Sequence, residues 1–85
     1  MKKNDLINRT FTFSNDVIKF VDLLPDRKAS SVVSYQILKS ATSVGANYRA
    51  TQRARSDKEF ISKLNIVLEE ADETLFWLQI IKEQK

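Results

Sequence analysis

The sequence predicts an all-α fold, an up-down helical bundle of three long helices. Three observations carry that expectation. Only one Gly and one Pro occur in 85 residues, so few positions suit turns. Apolar residues recur at steps of three and four along most of the chain, which is the helical period. The chain is also rich in charge (29%) while still 42% hydrophobic, as amphipathic helices require. At this length one domain, residues 1–85, is expected, with a marginal core that self-association would help.

Helix 1 is expected over about residues 5–24. Ile7, Phe11, Ser14, Ile18 and Val21 form one stripe, and Phe13, Val17, Phe20 and Leu24 a second beside it, so its apolar face is broad. Asn4 or Asp5 could cap it, or Ser14 could begin a shorter helix. The polar run Pro25-Asp26-Arg27-Lys28 holds the only proline and marks the turn.

Helix 2 is expected over about residues 30–53, starting near Ser30 or Ser31. Its stripe is Val33, Ile37, Ala41, Val44 and Tyr48, with Leu38 alongside. The stretch from Ser40 to Asn47 has the composition of a loop, and Gly45 costs a helix interior about 1 kcal/mol relative to Ala. The stripe nevertheless keeps its phase there, so continuous helix is the better reading. Small residues at Ala41 and Gly45 make a flat patch that another helix backbone could approach closely.

Helix 3 is expected over about residues 57–83. Ser56-Asp57-Lys58-Glu59 fits a capping box, with Ser56 taking the Glu59 N–H and Glu59 returning to the Ser56 N–H. Phe60, Leu64, Val67, Ala71, Thr74, Leu78 and Ile81 follow in phase, flanked by Ile61, Leu68 and Leu75. Such a helix is roughly 40 Å long, against a radius of gyration of about 12 Å for a compact chain of this size. A rod follows, with shallow crossing angles.

Composition excludes the common catalytic designs. Without Cys or His there is no zinc finger, His-based triad, thiol nucleophile or disulfide framework. One Gly cannot build a P-loop or a dinucleotide fingerprint. The expectation is therefore a non-enzyme with no cofactor, no metal and no small-molecule substrate. No segment reads as membrane-spanning and no signal peptide follows Met1, so a cytoplasmic location is expected, and the Asn8-Arg9-Thr10 sequon reads as chance. The formal charge of +3 divides unevenly: residues 1–56 carry ten Lys/Arg and four Asp/Glu, residues 57–85 four and seven. A chain with this polarity can pair its own halves or pair with copies of itself.

The run from Gln36 to Ala50, QILKSATSVGANYRA, continues as Gln52-Arg53-Ala54-Arg55-Ser56, Glu59 to Leu64, Glu69 to Thr74 and Trp77-Leu78. In order and spacing it resembles the four-helix bundle proteins also called 23S rRNA intervening-sequence proteins. The likeness is dense over about half the chain, and the Leu24-Pro25 end of helix 1 agrees with it. It implies a bacterial up-down bundle that forms homo-oligomers, five subunits around a central axis, with some members encoded within 23S rRNA genes. Related bundles serve diversity-generating retroelements, binding nucleic acid and a reverse transcriptase, so RNA and a reverse transcriptase are implied partners. The family pattern continues for roughly another helix beyond Trp77, so a fourth helix is expected to be absent here. An apolar trough is then expected in its place, filled by a neighbouring subunit.

Arg49, Arg53, Arg55 and Lys58 gather at the turn between helices 2 and 3. They are the candidate nucleic-acid contacts, through bidentate phosphate forks. The competing reading pairs them with Glu59, Glu69 or Glu73, in the same chain or a neighbour. Glu69, Glu70, Asp72 and Glu73 read as a solvated or ion-paired face. Ala41, Gly45, Tyr48, Trp77, Leu78 and Ile81 are the packing or interface candidates. The aromatics among them, with Tyr35 and Phe76, read as packing groups before base-stacking ones.

Overall fold

In the computed structural model, which describes residues 5–84, the chain forms three helices: α1 (Asp5–Val21), α2 (Lys28–Thr51) and α3 (Asp57–Glu83). They build a rod of 45 × 22 × 16 Å with a radius of gyration of 14.3 Å. That exceeds the compact value, as three long helices joined by tight turns demand. Helix α2 is the middle member. Both α1 and α3 pack on it, while no Cα of α1 comes within 8 Å of one of α3.

The helix ends differ from the sequence expectation for local reasons. Helix α1 begins at Asp5, not Ser14; Asn4, the other expected cap, lies outside the described residues. It ends at Val21 instead of Leu24, where Leu23 and Leu24 donate N–H bonds to Phe20 and Val21. These i→i−3 bonds tighten the turn because the residue before proline avoids the α region. Helix α2 starts at Lys28, two residues before Ser30. Arg27 is extended and its carbonyl accepts the Ser31 N–H at 3.2 Å, so neither serine acts as cap. It stops at Thr51, followed by i→i−3 bonds from Gln52, Arg53 and Ala54. No described residue has a positive φ, so this helix ends without a left-handed glycine cap.

The stretch from Ser40 to Asn47 is continuous helix. It carries the contact on which the packing turns. Ala41 is completely buried, and the Ser14 hydroxyl donates to the Ala41 carbonyl at 2.7 Å. A Cβ at Gly45 would stand 3.1 Å from Ser14 Oγ and 3.3 Å from the Thr10 carbonyl oxygen. The small residues thus let the α1 backbone press onto α2, as their spacing suggested. On the α3 side, Thr74 Oγ1 donates to Ser40 Oγ at 2.8 Å, with the Glu70 carbonyl equally near, and Ser40 donates to Ile37 O at 3.2 Å. No buried side-chain nitrogen or oxygen among the described residues lacks a partner. Unsatisfied, each would cost about 1–3 kcal/mol.

Around this polar layer lie two apolar clusters. Val17, Val21, Ile37 and Ala41 form one, joined by Leu24, Leu38, Trp77, Leu78 and Ile81. Val44, Tyr48 and Val67 form the other, with Ile7 and Leu64. The broad apolar face expected for helix 1 is only partly used. Ser14, Val17 and Val21 are buried, whereas Phe11, Phe13, Ile18 and Phe20 stay exposed. Helix α1 packs on α2 alone, and one neighbour does not cover so broad an apolar arc.

Enlarging Gly45 tests the close approach. Gly45→Leu has nowhere to place its branches and is expected to lose about 1–3 kcal/mol in urea unfolding. For Gly45→Ala the helix-propensity gain of about 1 kcal/mol opposes the tight Cβ, so its stability is expected to stay close to the parent's.

Candidate functional site

The basic end is built by the turn that closes α2 onto α3. Ser56 is extended, and its side chain accepts the Glu59 N–H at 3.1 Å. The other half of the capping box differs from expectation. Glu59 Oε1 accepts the N–H of Arg55, at 3.0 Å, instead of that of Ser56. The tight i→i−3 turn at residues 52–54 brings the Arg55 N–H over the first turn of α3. Glu59 Oε2 then lies 3.4 Å from Arg55 Nη2. Arg55 is therefore partly neutralised within the turn, through a surface pair of small energetic value in which Arg55 is exposed and Glu59 half-buried.

The remaining cations stand differently. Arg49, Arg53 and Lys58 are exposed and make no ion pair among the described residues. Within the chain Arg49 pairs with neither Glu69 nor Glu73, and both carboxylates are exposed on α3. Glu73 instead accepts a hydrogen bond from Trp77 Nε1–H at 3.3 Å. The only other ion pair among the described residues is Arg9 with Asp5, 3.8 Å apart within α1.

The packing candidates fall inside the clusters described above. Ala41 and Tyr48 are buried, and Gly45 lies under α1. Trp77, Leu78 and Ile81 are half-buried against the first cluster, with Phe76 edge-on to Trp77 at 5.0 Å. Ser40, Thr51 and Thr74 are also buried. Sequence reasoning passed over Ser40 and Thr51 because they are polar, although 37, 40, 44, 48 and 51 keep the helical step.

Large apolar side chains remain uncovered on both flanking helices: Phe11, Phe13 and Phe20 on α1, Leu68, Leu75 and Phe76 on α3. At the end of the rod holding the α1–α2 turn, Phe20, Leu24, Val33, Ile80 and Ile81 help line an apolar hollow of about 380 Å³. No helix of the described residues is long and apolar enough to cross a membrane.

The family described as 23S rRNA-intervening sequence protein matches residues 2–85. The chain belongs to that family. Its fold is similar to the crystal structure of a Bacteroides thetaiotaomicron protein of unknown function from the S23 ribosomal protein family. The TM-score is 0.85 at 37% identity, over 93% of this chain and 73% of that one. No curated protein matches the chain. The family assignment and the helical bundle thus agree with the resemblance first carried by the Gln36–Leu78 residues.

The cap that holds this end together is testable. Ser56→Ala removes the acceptor of the Glu59 N–H and is expected to lower stability by about 1 kcal/mol in thermal or urea unfolding.

Proposed function

We propose that this member of the 23S rRNA-intervening sequence family is a non-enzymatic scaffold that contacts RNA through its basic end and assembles with copies of itself. One observation supports the RNA reading above the rest. Arg49, Arg53 and Lys58 are exposed and without ion pairs among the described residues, while Arg55 is held by Glu59. Exposed cations without ion pairs also stand elsewhere on the rod, Lys19, Lys28 and Lys82 among them; these three are set apart by their clustering around the α2–α3 turn. A phosphate backbone supplies the missing anions, and Arg offers it a bidentate fork. Arg49 sits on the last turn of α2 and Arg53 in the tight turn that follows it. The chain holds no His and no Cys, so His-based and thiol-based catalytic designs do not apply to it.

Binding of this kind is salt-dependent because each neutralised phosphate releases counterions. Arg49→Ala with Arg53→Ala is expected to weaken RNA binding at low salt. It should also flatten the log–log salt slope by about 1.4–1.8, for two phosphates at roughly 0.7–0.9 each. The oligomer should stay intact in sedimentation. If the double variant dissociates instead, those arginines are subunit contacts and the RNA reading fails.

A second reading, a protein-assembly module without a nucleic-acid role, is favoured by the uncovered apolar residues of α1 and α3. It shares with the first the homo-oligomer, for which the acidic α3 face and the basic end supply opposite charges. Light scattering at micromolar concentration is expected to give a mass above that of one chain. A sharp monomer would remove the assembly component from both readings.

A further inference from the structure

Helix α2 has an outer face that neither neighbour covers. Tyr35, Lys39, Thr42, Ala46 and Arg49 step by four and three along α2, so they share one stripe; Arg53 follows in the turn just beyond the helix, and all six are exposed. The stripe lies opposite buried Ile37, Val44 and Tyr48. It has an unusual charge pattern. From Arg27 to Ser56 the chain carries six cations and no acid. Lys39, like Arg49 and Arg53, makes no ion pair among the described residues. Lys39 and Arg49 are about 15 Å apart along the helix, so the basic end is the terminus of a longer track.

The track also has a seat. Tyr35 is 64% exposed, large for an aromatic that serves packing. Together with Ile18, Leu38, Lys39 and Thr42 it lines a shallow, mainly apolar hollow of about 390 Å³ between α1 and α2. The hollow therefore combines a ring face, an apolar floor, a hydroxyl and a cation. A nucleobase matches that set: a flat π-face for the tyrosine, a base N–H for the Thr42 oxygen, whose own proton goes to the Leu38 carbonyl at 2.7 Å, and a phosphate beside it for Lys39. A duplex keeps its bases stacked inside and offers only phosphates and groove edges.

We infer that the outer face of α2 is a track for single-stranded RNA, with its backbone along Lys39, Arg49 and Arg53 and one unstacked base seated against Tyr35. This rests on the RNA reading above and adds the strand state and a base-contacting residue to it. Charge complementarity selects the occupant. An acid-free basic strip suits a polyanion, and the apolar hollow beside it suits a polyanion that carries free rings.

The test compares a short unstructured dye-labelled RNA with a duplex of the same sequence, by anisotropy, on the full chain. Tyr35→Ala is expected to weaken single-strand binding about tenfold, the loss of one stacked base, and to leave the duplex unchanged. Tyr35→Phe should restore it, because stacking uses the ring and not the hydroxyl. Lys39→Gln should lower the single-strand salt slope by about 0.7. If Tyr35→Ala binds the single strand like the parent, while the Arg49/Arg53 double variant still loses it, the base seat is refuted and the basic end stands. If neither RNA binds at low salt, both proposals fall. If Tyr35→Ala or Lys39→Gln breaks the oligomer, α2's outer face is a subunit contact and the track is refuted.

Discussion

The structure depends on how closely α1 can approach α2. Ala41 and Gly45 leave no side-chain bulk at the crossing, and the Ser14 hydroxyl fills the gap by donating to the Ala41 carbonyl at 2.7 Å. Thr10 contributes its backbone to the same contact. Because α1 sits this close on one side of α2, the other side is left for α3, which locks on through Thr74 and Ser40. The two crossings use adjacent positions, 40 and 41, so a single level of α2 sets the height of both neighbours. Apolar burial above and below then adds about 1.5–3 kcal/mol for a side chain such as Ile37, which is wholly buried.

Using polar contacts at that level has a structural logic. Hydroxyls of Ser and Thr in a helix return a bond to a carbonyl three or four residues back, and so stay satisfied when buried. Ser14, Ser40, Thr51 and Thr74 all have such a carbonyl within reach. Each hydroxyl has one proton, so Ser14 and Thr74 can turn it from their own helix to the neighbouring one, to Ala41 O at 2.7 Å and to Ser40 Oγ at 2.8 Å, without leaving the group unsatisfied. A bond between α1 and α2 and another between α2 and α3 also disfavour a slip by one turn, which apolar contacts alone tolerate. The central helix is thereby fixed in register on both flanks, which holds its outer face in a defined orientation.

Much of this was legible in the sequence because periodicity survives local anomalies. Residues 40–47 have the composition of a loop, yet Ala41, Val44 and Tyr48 keep the stripe, and tertiary packing of that stripe outweighs the cost of Gly45. The ends were less legible. Pro25 marks the turn after α1 without fixing its last residue, and α2 finishes in i→i−3 bonds that use backbone alone, so no residue type signals where α2 stops. At the α3 cap the residue types were right but the partner shifted by one, since Glu59 reaches whichever N–H the preceding turn presents. The phenylalanines of α1 show a different limit. Period tells that Phe11 and Phe20 lie on apolar stripes, but what covers a stripe depends on neighbours that one helix does not encode. The basic end was visible as a cluster of Arg. The unpaired state of Arg49 and Arg53 was not, because it follows from where α3 places Glu69 and Glu73.

The molecule divides by face. The inner side of α2 organises the fold, its outer side and the adjoining turn carry unpaired positive charge, and the far sides of α1 and α3 carry apolar residues suited to assembly. A titration of the isotopically labelled protein with short single-stranded RNA, followed by amide and side-chain NMR, tests that division directly. The account predicts shifts concentrated at Tyr35, Lys39, Ala46, Arg49 and Arg53, with Ile37, Ala41, Val44 and the α3 carboxylate face undisturbed. Shifts centred on α3, or spread evenly through the core, would contradict it.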